Sequence, residues 1–116
     1  MSTVMAPQVQ VKRSLERIGR IREAFREIDH LCSGTLTERT KTCGNPGCRC
    51  RKDPAARHGP YYEWTHMKAG KLAHRNLSPQ QAELLRAAIA NYRKVKKLIR
   101  DWEVETEQLI DAQSPR

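Results

Sequence analysis

Three cysteines within eight residues, Cys43, Cys48 and Cys50, constrain the fold of this chain more than any other feature. The first two are separated by Gly-Asn-Pro-Gly, a sequence that favours tight turns because glycine tolerates positive φ and proline fixes its own φ. Such a turn folds the thiols back toward one point, and seven residues separate Cys50 from His58. Three cysteines and one histidine form a complete tetrahedral ligand set for structural zinc, so the sequence predicts a zinc site at these four residues.

The C-x4-C-x-C spacing differs from the familiar C-x2-C pair, and two alternatives stay open. The thiols could be reduced and buried without a metal. Against this, the turn is polar, and the neighbouring Arg49, Arg51 and Lys52 favour the deprotonated thiolates that metals bind. The fourth ligand could also be Cys32 instead of His58, although we expect Cys32 to pack against a helix end.

Composition predicts that the fold needs support beyond its own core. A chain of 116 residues forms one domain, and a 38% apolar fraction with one Phe, two Trp and three Tyr allows only a small core. A metal or self-association commonly supplements such a core. Four cysteines without a signal peptide predict the reducing cytoplasm, and no apolar run approaches the ~20 residues of a membrane span.

Positive charge is concentrated in the middle of the chain. The whole chain carries 22 Lys+Arg against 13 Asp+Glu, which makes nucleic acid the default partner. Between residues 39 and 75 only two acidic residues oppose nine basic ones. These nine are the predicted nucleic-acid contacts: Arg39, Lys41, Arg49, Arg51, Lys52, Arg57, Lys68, Lys71 and Arg75.

The hydrophobic pattern predicts the secondary structure. Apolar residues recur at steps of three and four over residues 8–31 and 79–111, which indicates two amphipathic helices. Ser78 and Gln81 have the spacing of a capping box at the second helix start. Between the helices, residues 35–42, 60–67 and 71–77 read as strands. Alternation would place Tyr62, Trp64 and His66 on one face, with His66 facing His74 across the hairpin.

The predicted fold class is therefore α+β: an N-terminal helix, a three-stranded antiparallel sheet with a cysteine-rich knuckle (residues 43–58), and a long C-terminal helix. One domain would cover residues 8–111 between tails at 1–7 and 112–116. The long helix carries a coiled-coil-like seam, and its apolar stripe is wider than the small sheet can cover. We expect a homodimer through this seam, centred on Tyr92, Val95, Ile99 and Trp102.

The ordered motifs of the chain resemble a family of small bacterial domains of uncharacterised function. The shared features are a Cys-Gly-x-x-x-Cys-x-Cys turn, a His-Gly-Pro-Tyr-Tyr segment, a basic hairpin and a long C-terminal helix with Asn-Tyr-Arg. The matching residues are Cys43, Gly44, Cys48, Cys50, His58, Gly59, Pro60, Tyr61, Tyr62, Asn91, Tyr92 and Arg93. The chain departs from the pattern at Glu63-Trp64, where a Tyr and an aliphatic residue are expected. Family members look like mobile-element or accessory proteins, and the resemblance implies no activity.

Together these features predict a small zinc-knuckle protein that binds nucleic acid, DNA rather than RNA, and dimerises through its helices. The alternative is a protein-interaction adaptor that uses the helical seam and binds no nucleic acid. A thiol or metal hydrolase is disfavoured, because four ligands leave no open position on the metal and no paired carboxylates or Cys-His-Asn set is evident. We therefore expect no enzymatic activity.

Overall fold

The computed structural model describes residues 7–113, which form two helices and a three-stranded sheet. The elements are α1 (Pro7–Arg26), β1 (Thr35–Lys41), β2 (His58–Lys68), β3 (Lys71–Leu77) and α2 (Pro79–Asp111), with 3-10 turns at Arg49–Arg51 and Pro54–Ala56. The α+β class predicted from the sequence is confirmed. The predicted tails, residues 1–7 and 112–116, lie largely outside the described residues. Neither helix has a stretch apolar enough to cross a membrane.

The contacts divide the chain into two compact units. One combines the described parts of Met1–His30 and Asn91–Arg116, and the other is Leu31–Ala90. Helix α2 contributes its first turns to the second unit and its remainder to the first.

In the Leu31–Ala90 unit, the three strands pair antiparallel in the order β1-β2-β3. The register places Trp64 between Leu36 of β1 and Arg75 of β3. Every second residue of a strand lies on the same sheet face, and the face that contains Trp64 is the more buried one. The buried residues Ala82, Leu85, Ala88 and Ile89 of α2 complete the core of this unit.

A two-residue turn sets the register of the hairpin. Ala69 and Gly70 both have positive φ, 53° and 78°, as the tight hairpin turn of type I′ requires. Lys68 therefore pairs with Lys71, and this register pairs His66 with Ala73 and Thr65 with His74. The prediction that His66 faces His74 is wrong, because this register places the two side chains on opposite faces of the sheet.

In the other unit, α1 ends at Arg26, five residues before the predicted end at Leu31. Asp29 explains the early end, because its Oδ1 accepts from the His30 N–H at 2.7 Å and so competes with helical hydrogen bonding. The Asn91 side chain holds this segment, donating from Nδ2 to Asp29 Oδ1 at 3.2 Å and to the His30 carbonyl at 2.8 Å.

The two helices of this unit pack antiparallel. Gln10 near the start of α1 contacts Gln108 near the end of α2, and the rings of Phe25 and Trp102 meet at 5.9 Å between centroids. Ser14 and Ile21 of α1 are buried, as is Glu105 of α2.

The predicted seam of α2 is divided between buried and exposed sides. Val95 and Trp102 are half-buried, whereas Tyr92 and Ile99 are exposed. Within this unit, α1 therefore covers only one side of the apolar stripe of α2.

Candidate metal centre

The structure brings together the four residues predicted as metal ligands. The ligand atoms of Cys43, Cys48, Cys50 and His58 all lie within 4.8 Å of one another. The Cys50 and Cys43 sulfurs are 3.6 Å apart, and Cys48 Sγ lies 3.3 Å from His58 Nε2. Three soft sulfur donors and an imidazole could hold a metal ion at this point.

The spacing of these atoms fits a tetrahedral site. With metal–sulfur bonds of about 2.3 Å and metal–nitrogen bonds of about 2.0 Å, tetrahedral geometry separates two sulfurs by about 3.8 Å and a sulfur from a nitrogen by about 3.5 Å. The two short distances in the cluster lie within about 0.2 Å of these values. The other ligand atoms lie within 4.8 Å of one another, so binding a metal would require shifts on the order of 1 Å.

Local hydrogen bonds in the turn position two of the thiols. The Asn45 side-chain oxygen accepts from the Gly47 N–H at 3.0 Å, and the Asn45 backbone carbonyl accepts from the Cys48 N–H at 3.1 Å. The 3-10 turn that follows Cys48 then swings Cys50 back, where its sulfur accepts from the Cys43 N–H at 3.3 Å. Asparagine and glycine suit this path because their conformations form tight turns.

Pairing of β1 with β2 positions His58. His58 begins β2 and pairs with Lys41 of β1, two residues before Cys43, so the ladder closes the knuckle at both ends. The next residue, Gly59, has a φ of 122°, and a Cβ there would approach the Arg39 carbonyl to 3.0 Å. Only glycine meets both conditions, which accounts for the Gly directly after the ligand.

Asp53 stabilises the basic part of the knuckle. Its Oδ1 accepts from the Ala55 N–H at 3.0 Å and caps the second 3-10 turn, while its Oδ2 lies 3.3 Å from the Arg49 guanidinium. This carboxylate shortens the path between Cys50 and His58 by stabilising a compact turn.

The thiols are held in different electrostatic environments. The backbone N–H of Cys50, followed by the Cys50 and Cys43 side chains, lowers the pKa of the Cys48 thiol. For Cys50 the Cys43 N–H acts in the same direction, but desolvation and the hydrogen bonds of the Cys50 thiol with the other two cysteine side chains outweigh it and raise the pKa. Cys50 is only 2% exposed, so a metal would be needed to stabilise its thiolate.

Cys32, the alternative fourth ligand, is not part of the cluster. It is half-buried, and its N–H donates to the Ala88 carbonyl of α2 at 3.4 Å. This position agrees with a packing role beside a helix.

The nine predicted nucleic-acid contacts lie at different places along the sheet and the knuckle. Six exposed residues form what we call the knuckle-end cluster: Arg39, Lys41, Arg49, Arg51, Lys52 and Arg57. Lys68 and Lys71 flank the hairpin turn at the other end of β2, ten residues or about 33 Å away, and Arg75 lies opposite Trp64. The structure therefore does not bring all nine together.

Tyr61 lies beside the knuckle-end cluster, although it is not among the nucleic-acid contacts predicted from the sequence. It is 45% exposed, pairs with Arg39 across the strands, and has the Lys41 ammonium 5.2 Å from its ring centroid. The feature of the sequence that could have identified Tyr61 is its position three residues after His58.

The aromatic residues on the other face have structural partners. Trp64 donates from Nε1 to the Ser33 carbonyl at 3.0 Å and stacks on His66 at 3.7 Å. A Cβ at Gly34 would lie 2.7 Å from Trp64 Nε1, so the glycine makes room for the indole. These contacts favour a core role for Trp64 over base stacking.

The fold and the site define a small α+β protein in which a Cys3His cluster connects two strands of a basic antiparallel sheet. The chain belongs to the family described as a domain of unknown function (DUF6788), whose model matches residues 10–87. That range contains the whole knuckle and the sheet. No curated protein and no solved structure matches the chain.

Proposed function

We propose that this protein is a zinc-stabilised nucleic-acid-binding module that works as a homodimer joined through α2. The observation that carries the proposal is that four metal-ligand atoms lie within 4.8 Å of one another in the same segment that carries most of the knuckle-end cluster. Zinc would act structurally, because three thiolates and one imidazole complete its tetrahedral coordination. DNA is the preferred nucleic acid in this proposal.

Charge supports the choice of partner. Arg49 is paired with Asp53 and Arg39 with Glu63, but within residues 7–113 no ion pair involves Arg51, Lys52 or Arg57. Cations without an internal partner are free to bind phosphates and to release their counterions. The metal would hold these side chains on one surface, which lowers the ordering cost of binding.

Two double variants that remove equal charge test the location of the binding surface. Arg51→Ala/Lys52→Ala removes two cations from the knuckle, and the matched control Lys68→Ala/Lys71→Ala removes two from the hairpin turn. We expect the knuckle variant to weaken binding to a short DNA duplex more strongly and to lower the salt slope by about two. Fluorescence anisotropy over a salt series measures both quantities, with zinc content checked in each protein.

Equal losses in the two variants would mean that binding depends on net charge alone and would contradict the proposed surface. A parent protein that binds neither DNA nor RNA at low salt would remove nucleic acid as the partner. In that case the adaptor becomes the better interpretation, since Ile99, Val104 and Ile110 are exposed apolar residues of α2.

A further inference from the structure

An exposed strip runs along α2 beside the face that packs on α1. Tyr92, Ile99, Thr106 and Ile110 lie on this strip at helical spacing, and Ile99 and Ile110 are 47% and 65% exposed. Trp102 borders it, and with Ile99, Thr106 and Ile110 it lines a shallow groove in the helix surface. An apolar strip of this length on a small protein is typical of an interface.

Four charged residues follow one edge of this strip, and their order along the helix is informative. Lys96 and Arg100 come first, and Glu103 and Glu107 follow. Within residues 7–113 none of the four forms an ion pair, whereas Lys97 and Glu105, which point away from the strip, are paired with Asp101 and Arg17. The Lys96 ammonium lies over the Tyr92 ring, 5.7 Å from its centroid. The edge therefore offers two cations and two anions that have no ion partner.

We infer that the strip binds a second copy of this chain with the two α2 helices antiparallel. This inference deepens the dimeric part of the proposed function and rests on it. A two-fold axis that passes between the two helices at the level of residue 101 would bring the charged edges of both copies to the same side. It would place Lys96 beside Glu107 of the second copy and Arg100 beside Glu103.

The same register matches the apolar residues. Tyr92 would lie near Ile110 of the second copy, and the two Ile99 side chains would lie on either side of the axis. A parallel pairing would place the basic parts of both helices side by side, and the acidic parts likewise, which is unfavourable. Only a partner helix with the reverse order of charges would place opposite charges along this edge, and an antiparallel copy of α2 has that order.

Charge reversal at one pair tests the inference. Arg100→Glu and Glu103→Arg each create two like-charge contacts per dimer, and we expect each to raise the dimer dissociation constant about tenfold at low salt. The double variant R100E/E103R restores both contacts with exchanged signs and should return the constant to near the parent value. Lys94→Glu, on the helix side away from the strip, is the matched control and should leave the constant unchanged.

Sedimentation equilibrium measures the constant, and circular dichroism confirms that each variant keeps its helix content. Because Ile99 is exposed, Ile99→Lys should also yield a folded monomer. A parent protein that stays monomeric at 100 μM, single variants without effect, or a double variant as weak as the single ones would each overturn the inference. Zinc content and DNA binding of the same proteins, measured separately, show whether the proposed function fails with it.

Discussion

At the scale of single residues, the cluster depends on side chains that the local backbone presents to one point. Asn45 shapes the turn before Cys48, and Gly59 allows β2 to continue directly after His58. These two residues contact no metal, yet their conformations decide where the ligands lie. The ligands and their supporting residues should therefore respond differently to substitution.

Replacing Cys48 by Ser should remove the metal, because a hydroxyl is a poor substitute for a thiolate in a sulfur-rich site. Replacing Cys32 by Ser should leave the metal in place, because Cys32 lies outside the cluster. Elemental analysis of both proteins, purified under reducing conditions without chelators, gives the zinc content per chain. Full zinc in the Cys48 variant, or its loss in the Cys32 variant, would show that the ligand set is wrong.

Asn91→Ala should destabilise the segment after α1, because it removes the two hydrogen bonds to Asp29 and His30. The His30 and Asp29 backbone N–H groups, with a smaller contribution from Asn91, lower the pKa of the Asp29 carboxyl. A lowered pKa contributes stability above the unfolded-state value, which is lost as the pH falls through the folded-state value. The melting temperature of the variant should be a few degrees lower at pH 7, and the difference should narrow in acid. A difference independent of pH would exclude the Asp29 contribution.

At the scale of elements, the hairpin and α2 show how one local feature sets the position of many residues. A two-residue turn fixes the register of β2 and β3, and with it the face on which each side chain lies. In α2 the helical period places one apolar side on α1 and leaves the other exposed. Changes in the turn should alter stability without altering either surface.

Ala69→Asn should stabilise the hairpin by roughly 0.5–1 kcal/mol, because alanine at a φ of 53° is strained and asparagine tolerates this conformation better. Thermal or urea unfolding of the two proteins measures the change. Ala73→Asn, at a half-buried position in β3, is the control and should destabilise. A loss of stability in the Ala69 variant would contradict the assigned turn.

At the scale of the whole molecule, the helices and the knuckle obtain their stability from different sources. Helix packing involves Ile21, Phe25 and Trp102, whereas the knuckle buries little besides Cys50. A metal would supply the free energy that the knuckle lacks. The helices and the knuckle should therefore respond differently when the metal is removed.

A strong chelator should disorder the knuckle and abolish DNA binding while most of the helical signal is retained. The helical circular dichroism at 222 nm follows α1 and α2, and the exchange of backbone amides from residue 43 to residue 58 follows the knuckle. Re-addition of zinc should restore both the amide protection and the binding. Complete loss of helix on chelation would show that the helices and the knuckle do not unfold separately. No change in the amide exchange of the knuckle would show that the metal has no structural role.

Sequence alone determined the features that depend on neighbouring residues. The capping box is present, since the Ser78 N–H donates to Gln81 Oε1 at 2.8 Å and the Gln81 N–H donates to Ser78 Oγ at 3.1 Å. The four ligands also come together as the spacing predicted, because a short loop leaves few ways to arrange them. The capping box and the cysteine turn form within a few residues, whereas the position of His58 also needs the pairing of β1 with β2.

Only the tertiary structure decided the features that depend on contacts between distant residues. Asp29 and Asn91, 62 residues apart in sequence, hold the segment beyond the early end of α1. Strand pairing placed His66 and His74 on opposite faces, exposed Tyr61 beside Lys41, and separated Lys68 and Lys71 from the other cations. The packing of α1 selected which side of α2 remains exposed. Periodicity shows that a helix has an apolar stripe, but the partner that covers each part of the stripe is determined by the packed chain.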